Sequence, residues 1–140
     1  MTAPLKSLVD VALYLHGADL DPHAISELLG VAGDVMRGRG DSRILKSGNQ
    51  VTAKAGVWRL GSGVTSSVLS EHVEALREKI RFAGSLANIE GVESAELDIY
   101  VELGGTDGSW KHEGRLSSHH LAWIAQAGVA LSMTSSHVED

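Results

Sequence analysis

The 140-residue chain is 43% hydrophobic and 21% charged, enough apolar content for one core and too much for a disordered segment. Its formal charge of −6 argues against nucleic acid, whose phosphates require a lysine and arginine patch, and favours a basic partner or solubility alone. Cysteine is absent, which excludes disulfide and thiolate chemistry and suits a reducing compartment.

The first ten residues, MTAPLKSLVD, lack an apolar run of signal-peptide length, and no segment approaches membrane-spanning length; a soluble cytoplasmic protein is the expectation. In LVDVALYLHG, Val9, Val11, Leu13 and Leu15 alternate with Asp10, Ala12, Tyr14 and His16, the period of a half-buried strand. ADLDPHAISELLG follows with a complete set of helix signals. Asp21 caps, Pro22 takes the first helical position, Gly30 terminates, and Ile25, Leu28 and Leu29 form the apolar face. Between residues 35 and 60 the pattern predicts two short strands, Val35 to Arg37 and Val57 to Leu60, joined by a loop rich in Gly, Ser and Asn. A helix is predicted from Val68 to Ala83, with Leu69, Val73, Leu76 and Ile80 inward and Gly84 as its stop. Glu74 with Arg77 and Glu78 with Arg81 fall at i,i+3 on its solvated face. SLANIEG is a short apolar turn.

ESAELDIYVELGG is the clearest strand, with Ala95, Leu97, Ile99, Val101 and Leu103 on one face and Glu96, Asp98, Tyr100 and Glu102 on the other. GGTDGSW then reads as a turn-rich loop. In RLSSHHLAWIAQAG, Ser117 is the N-cap, Leu116 and Leu121 have staple spacing, and Leu121, Ile124 and Ala125 face the core. Gly128 closes the helix before a last strand, VALSM. The order β-α-β-β-α-β-α-β predicts a single α+β domain spanning the chain, with a mixed, largely antiparallel sheet and helices on one face. The predicted core includes Leu76, Leu97, Ile99, Leu121 and Ile124.

Candidate chemistry is sparse. His119 and His120 sit about 100° apart in a first helical turn, so they cannot share a metal as an i,i+4 pair does. A site there would need further ligands such as His112 or Glu113; two exposed first-turn residues are the expectation. GRGDSR has the glycines of a phosphate loop but no helix behind it, and a plain turn is expected. GSGVTSS leads into a helix and offers backbone N–H groups to an anion, yet lacks the lysine of a nucleotide loop. No GxSxG elbow suggests a catalytic triad. Trp58 is expected to pack in the core rather than to stack on a ligand. The chain is therefore expected to have no catalytic residue, metal or cofactor. What remains is one face of strand pattern. Glu96, Asp98 and Glu102 flank Tyr100, and the first strand presents Asp10 and Tyr14 in the same alternation. If the two strands are neighbours, these six residues form one acidic patch with two tyrosines, either a solvated face or a docking surface.

DLDPHAISELLG, GVWRL, LSEHVEALREKI, LDIYVEL and GRLSSHHLAWIAQAGVALSM, taken in order, resemble the bacterial family called domain of unknown function 4279 over nearly the whole chain. The ending SMTSSHVED departs from the acidic and aromatic strand on which that family often closes. The resemblance implies a small standalone α+β domain with no catalytic residues to carry over. Short acidic bacterial proteins of this kind are similar in character to immunity proteins, which bind and occlude a cognate toxin. Such a binding protein is the first expectation, with a basic protein partner and neither nucleic acid nor membrane. The second is a small-ligand domain or minor enzyme with Trp58 or Trp110 lining a pocket and a histidine as acid or base.

Overall fold

The computed structural model describes residues 8–104 and 113–138. Its elements in chain order are β1 (Leu8–Gly17), α1 (Pro22–Leu29), β2 (Val35–Arg37), β3 (Ser42–Ile44), β4 (Gln50–Thr52), β5 (Gly56–Gly61), α2 (Leu69–Lys79), a 3₁₀ turn (Leu86–Asn88), β6 (Ser94–Gly104), α3 (Ser118–Ala127) and β7 (Ala130–Val138). Five strands form one sheet in the order β2-β5-β1-β6-β7; β3 and β4 pair separately as a small hairpin. All pairings are antiparallel except β6 with β7, which is parallel. This is the expected α+β architecture. The parallel pair has a simple cause, because α3 carries the chain over the sheet between β6 and β7.

β1 takes the centre of the sheet because its alternation supplies a continuous apolar face. Val9, Val11, Leu13 and Leu15 are all buried, opposite Leu60 on β5 and Leu97, Ile99 and Val101 on β6. Onto this face pack Ile25 and Leu29 of α1, Leu69, Val73 and Leu76 of α2, Ile80 just beyond it, Leu86 of the 3₁₀ turn, and Ile124 and Ala127 of α3. Trp58 is completely buried and its indole Nε1–H donates to Ser26 Oγ at 3.0 Å, satisfying the one polar group it brings inside. The opposite face, formed by the even-numbered residues of β1 and β6, has no described helix over it.

The helix ends obey local rules. Asp21 accepts from the N–H groups of His23 and Ala24, and Ser117 accepts from His120 N–H. Gly30 and Gly128 close α1 and α3 with φ of 73° and 69°, the left-handed region that only glycine enters without strain.

Four expectations need correction. First, the loop between β2 and β5 contains the β3–β4 hairpin, whose three-residue strands are fully exposed and therefore lack the apolar alternation that marks a strand. Second, α2 stops at Lys79 rather than Ala83. Ile80 is extended, and Arg81 N–H leaves the helix ladder to donate to Leu29 C=O, which joins this strand-like exit to α1. Glu78 and Arg81 thus lose helical spacing and form no described ion pair, whereas Glu74 and Arg77 pair at 3.0 Å. Third, Leu121 is 49% exposed and Ala125 is exposed, so neither belongs to the core. The inward stripe of α3 runs through His120, Ile124 and Ala127, rotated from the predicted one, while Leu116 packs against the core from the segment before the helix. Fourth, the last strand extends to Val138. The GGTDGSW loop lies, from residue 105 onward, outside the described residues.

Candidate functional site

β1 and β6 lie side by side, so the six predicted face residues share one surface. Asp10 stands opposite Tyr100, and Tyr14 opposite Glu96. Asp98 faces Ala12, and Glu102 lies at the Leu8 end of the pair. Along β6, Glu96, Asp98, Tyr100 and Glu102 repeat every ~7 Å on the same side, two residues of strand rise. The carboxylates form a row, with Tyr100 inside it.

The row is not uniform in charge, because β5 adds a residue that strand pattern alone does not place. Arg59 points onto the same face beside Tyr14. Its Nε–H donates to the Tyr14 hydroxyl at 3.0 Å, its Nη1 bonds Asp34 at 3.0 Å, and its Nη2 lies 3.6 Å from Asp10. Burial opposes the Arg59 charge, but Tyr14, Asp10 and Asp34 together outweigh it and hold the pKa above the ordinary arginine value. Asp34 also accepts from Gly61 N–H, so this carboxylate ties β5 to the turn before β2. Asp10 is thereby partly neutralised. Among the described residues no cation pairs with Glu96, Asp98 or Glu102. The uncompensated charge therefore follows β6.

Both tyrosines are held in place. Tyr14 stacks on His16 with ring centres 5.8 Å apart and planes 2° from parallel. The Tyr100 hydroxyl shares a 2.5 Å hydrogen bond with Ser136 Oγ of β7. Fixed aromatic side chains lose little rotamer freedom when a partner covers them. The face can offer negative charge, two rigid rings and hydroxyl groups.

Other candidate groups resolve into structure. His119 is exposed as expected. His120 is not: its side chain is 13% exposed, with Nδ1 3.1 Å from Ser117 Oγ and Nε2 2.9 Å from Glu74 Oε2 on α2. The serine, histidine and carboxylate are in line, but Ser117 sits on the surface as the cap of α3, and we read the set as a cap joined to an α2–α3 latch. Among the described residues no cluster of three or more potential metal ligands exists; His112 lies outside them. In GRGDSR the residues up to Asp41 form a turn in which Asp41 accepts from Gly38 N–H, and Ser42 and Arg43 begin β3. GSGVTSS is fastened by His72, which is fully buried: its Nδ1 lies 2.6 Å from Ser62 Oγ and its Nε2 2.6 Å from Ser66 C=O. Lys79 Nζ donates to Ser62 C=O at 2.6 Å, and Ser66 Oγ bonds Glu71. Because Trp58 is wholly buried, its ring offers no surface to a ligand; Trp110 lies outside the described residues. A groove of about 930 Å³ runs between α1 and the 3₁₀ turn, floored by Ile25, Leu28, Phe82 and Ile89 and edged by Asp19 and Asp21. No described helix is long and apolar enough to cross a membrane.

The family model DUF4279, domain of unknown function, matches residues 6–136. The chain belongs to this family. The DUF4279 match covers all three helices and every strand of the sheet except the last two residues of β7, so the acidic row of β6, Arg59 and the His120–Glu74 latch all lie within it. No curated protein and no solved structure matches the chain.

Proposed function

We propose that this DUF4279 domain is a non-enzymatic binding protein that docks a basic protein partner on the open face of its sheet, most concretely an immunity protein that occludes the cleft of a toxin or effector. One observation carries the reading: β1 and β6 are neighbours, so Asp10, Tyr14, Glu96, Asp98, Tyr100 and Glu102 share one face and its β6 carboxylates have no described cation. Charge on such a face accelerates encounter with a basic surface, and rigid tyrosines supply the contacts that slow departure. Occlusion requires no bond chemistry, only a surface complementary to the partner's cleft.

The test begins with capture of the partner from native cells by the immobilised chain, identified by mass spectrometry. Asp98→Lys combined with Glu102→Lys should leave stability within about 0.5 kcal/mol, as surface changes do. Association should slow and lose its salt dependence. Tyr100→Ala should instead speed dissociation, by ~30-fold if the ring contributes about 2 kcal/mol. Unchanged kinetics in the doubly reversed chain would eliminate this face.

A further inference from the structure

β7 is a nine-residue edge, bonded among the described residues to β6 alone. Edge strands are normally guarded by lysine, proline, a bulge or a covering segment, because their free N–H and C=O groups template further pairing. The sequence ALSMTSSHV contains none of the guarding residues: no proline and no Asp, Glu, Lys or Arg. Its register against β6 runs unbroken from Ala130 to Val138, so no bulge turns it aside. The sheet's other edge, β2, is only three residues long.

The side chains along this edge are also unusual. Leu131 and Met133 pair with Leu97 and Ile99, which places them on the helix side of the sheet, yet they are 43% and 64% exposed. An unguarded backbone ladder and an uncovered apolar strip thus run along the same border.

We infer that β7 pairs antiparallel with β7 of a second copy, merging two five-stranded sheets into one of ten strands, with Leu131 and Met133 of both chains closing over the joint. A two-fold axis normal to the sheet puts both helix layers on the same side, so the apolar strips meet each other. The charge pattern selects a second copy over a basic partner, because the strand offers nothing to a cation and self-pairing sets no like charges opposite. The β6 carboxylate rows of the two copies would stand three strand spacings apart, ~14 Å, beyond the Debye length of ~10 Å. Their repulsion is therefore largely screened.

Light scattering on a sizing column, over about a hundredfold range of concentration, reads the mass directly. The wild type should give twice the 14.8 kDa of one chain and fall toward one chain only on dilution. Met133→Lys buries two cations in the joint and should give 14.8 kDa at all concentrations with an unchanged circular-dichroism spectrum. Leu131→Lys is the second variant if the first does not fold. Amide exchange should be slow along β7 in the wild type and fast in either variant. A wild-type mass of one chain throughout the range overturns the inference, as does a dimer that survives both substitutions or leaves β7 amides unprotected.

Discussion

His72 lies within α2, yet both of its ring nitrogens are engaged outside the helix, on Ser62 and Ser66. Replacing it by leucine preserves most of the volume but leaves the buried Ser62 hydroxyl with only its long 3.4 Å bond from Val64 N–H and the Ser66 carbonyl without its ring partner, losses of ~1–3 kcal/mol each. His72→Leu should therefore lower the free energy of urea unfolding by roughly 2–5 kcal/mol; an unchanged midpoint would mean that water reaches the loop. Glu74 makes a different kind of prediction. The hydrogen bond from His120 holds its carboxyl below the ordinary glutamate value of 4.5, opposed by burial and reinforced by Arg77. A carboxylate with a depressed folded pKa contributes stability that is complete above its unfolded value and is lost as pH falls through the folded one. The wild type should thus lose this contribution progressively below about pH 4.5, while Glu74→Gln lacks it from neutral pH downward. The two melting curves should converge in acid. Parallel curves down to about pH 2 would refute the latch as a pH-dependent contact.

At the scale of elements, α3 separates packing from pattern. Ile124 is 6% exposed and Leu121 49%, although both are large, apolar and three residues apart. Ile124→Ala should cost ~2–5 kcal/mol, whereas Leu121→Ala should cost under about 1 kcal/mol in dilute solution, as measured by denaturant unfolding. The helix is rotated from the predicted orientation because His120 turns inward onto Glu74 rather than to solvent. At 120, 124 and 127 the spacing i, i+4, i+7 is an inward stripe that begins with a histidine. The same signal exists in α2, where His72 falls between Leu69 and Val73 on the apolar stripe. By contrast, β1, β6, the Asp21, Ser117, Gly30 and Gly128 helix ends and the burial of Trp58 were legible, because alternation and capping are local. The neighbourhood of β1 and β6 was conditional, since no local pattern orders a sheet. That is also why Arg59 escaped notice: its contacts with Tyr14, Asp10 and Asp34 depend on which strands β5 lies between. The short exposed hairpin β3–β4 carries no alternation at all.

For the whole molecule, Arg59 moderates the field of the open face. Arg59→Gln removes one positive charge, taking the net charge from −6 to −7, and releases Asp10 and Asp34. Folding should change by about 1 kcal/mol or less, because both ion pairs are partly exposed. Association with a basic partner should become faster and more salt-sensitive, and a variant slower than wild type in binding kinetics would locate the contact elsewhere. A separate consequence follows from the central position of β1. Leu13 meets Leu60, 47 residues later, and Val11 meets Ile99, 88 residues later. At ribosomal speeds of ~5–20 residues per second, those 88 residues take roughly 4–18 s to make. During that interval β1 has been synthesised but its β6 edge has no partner, and β5 can cover only the other side. Slowing translation between β5 and β6 lengthens the exposure of the Val9 to Leu15 stretch, which is buried in the finished sheet, and should therefore lower the soluble yield in the cell.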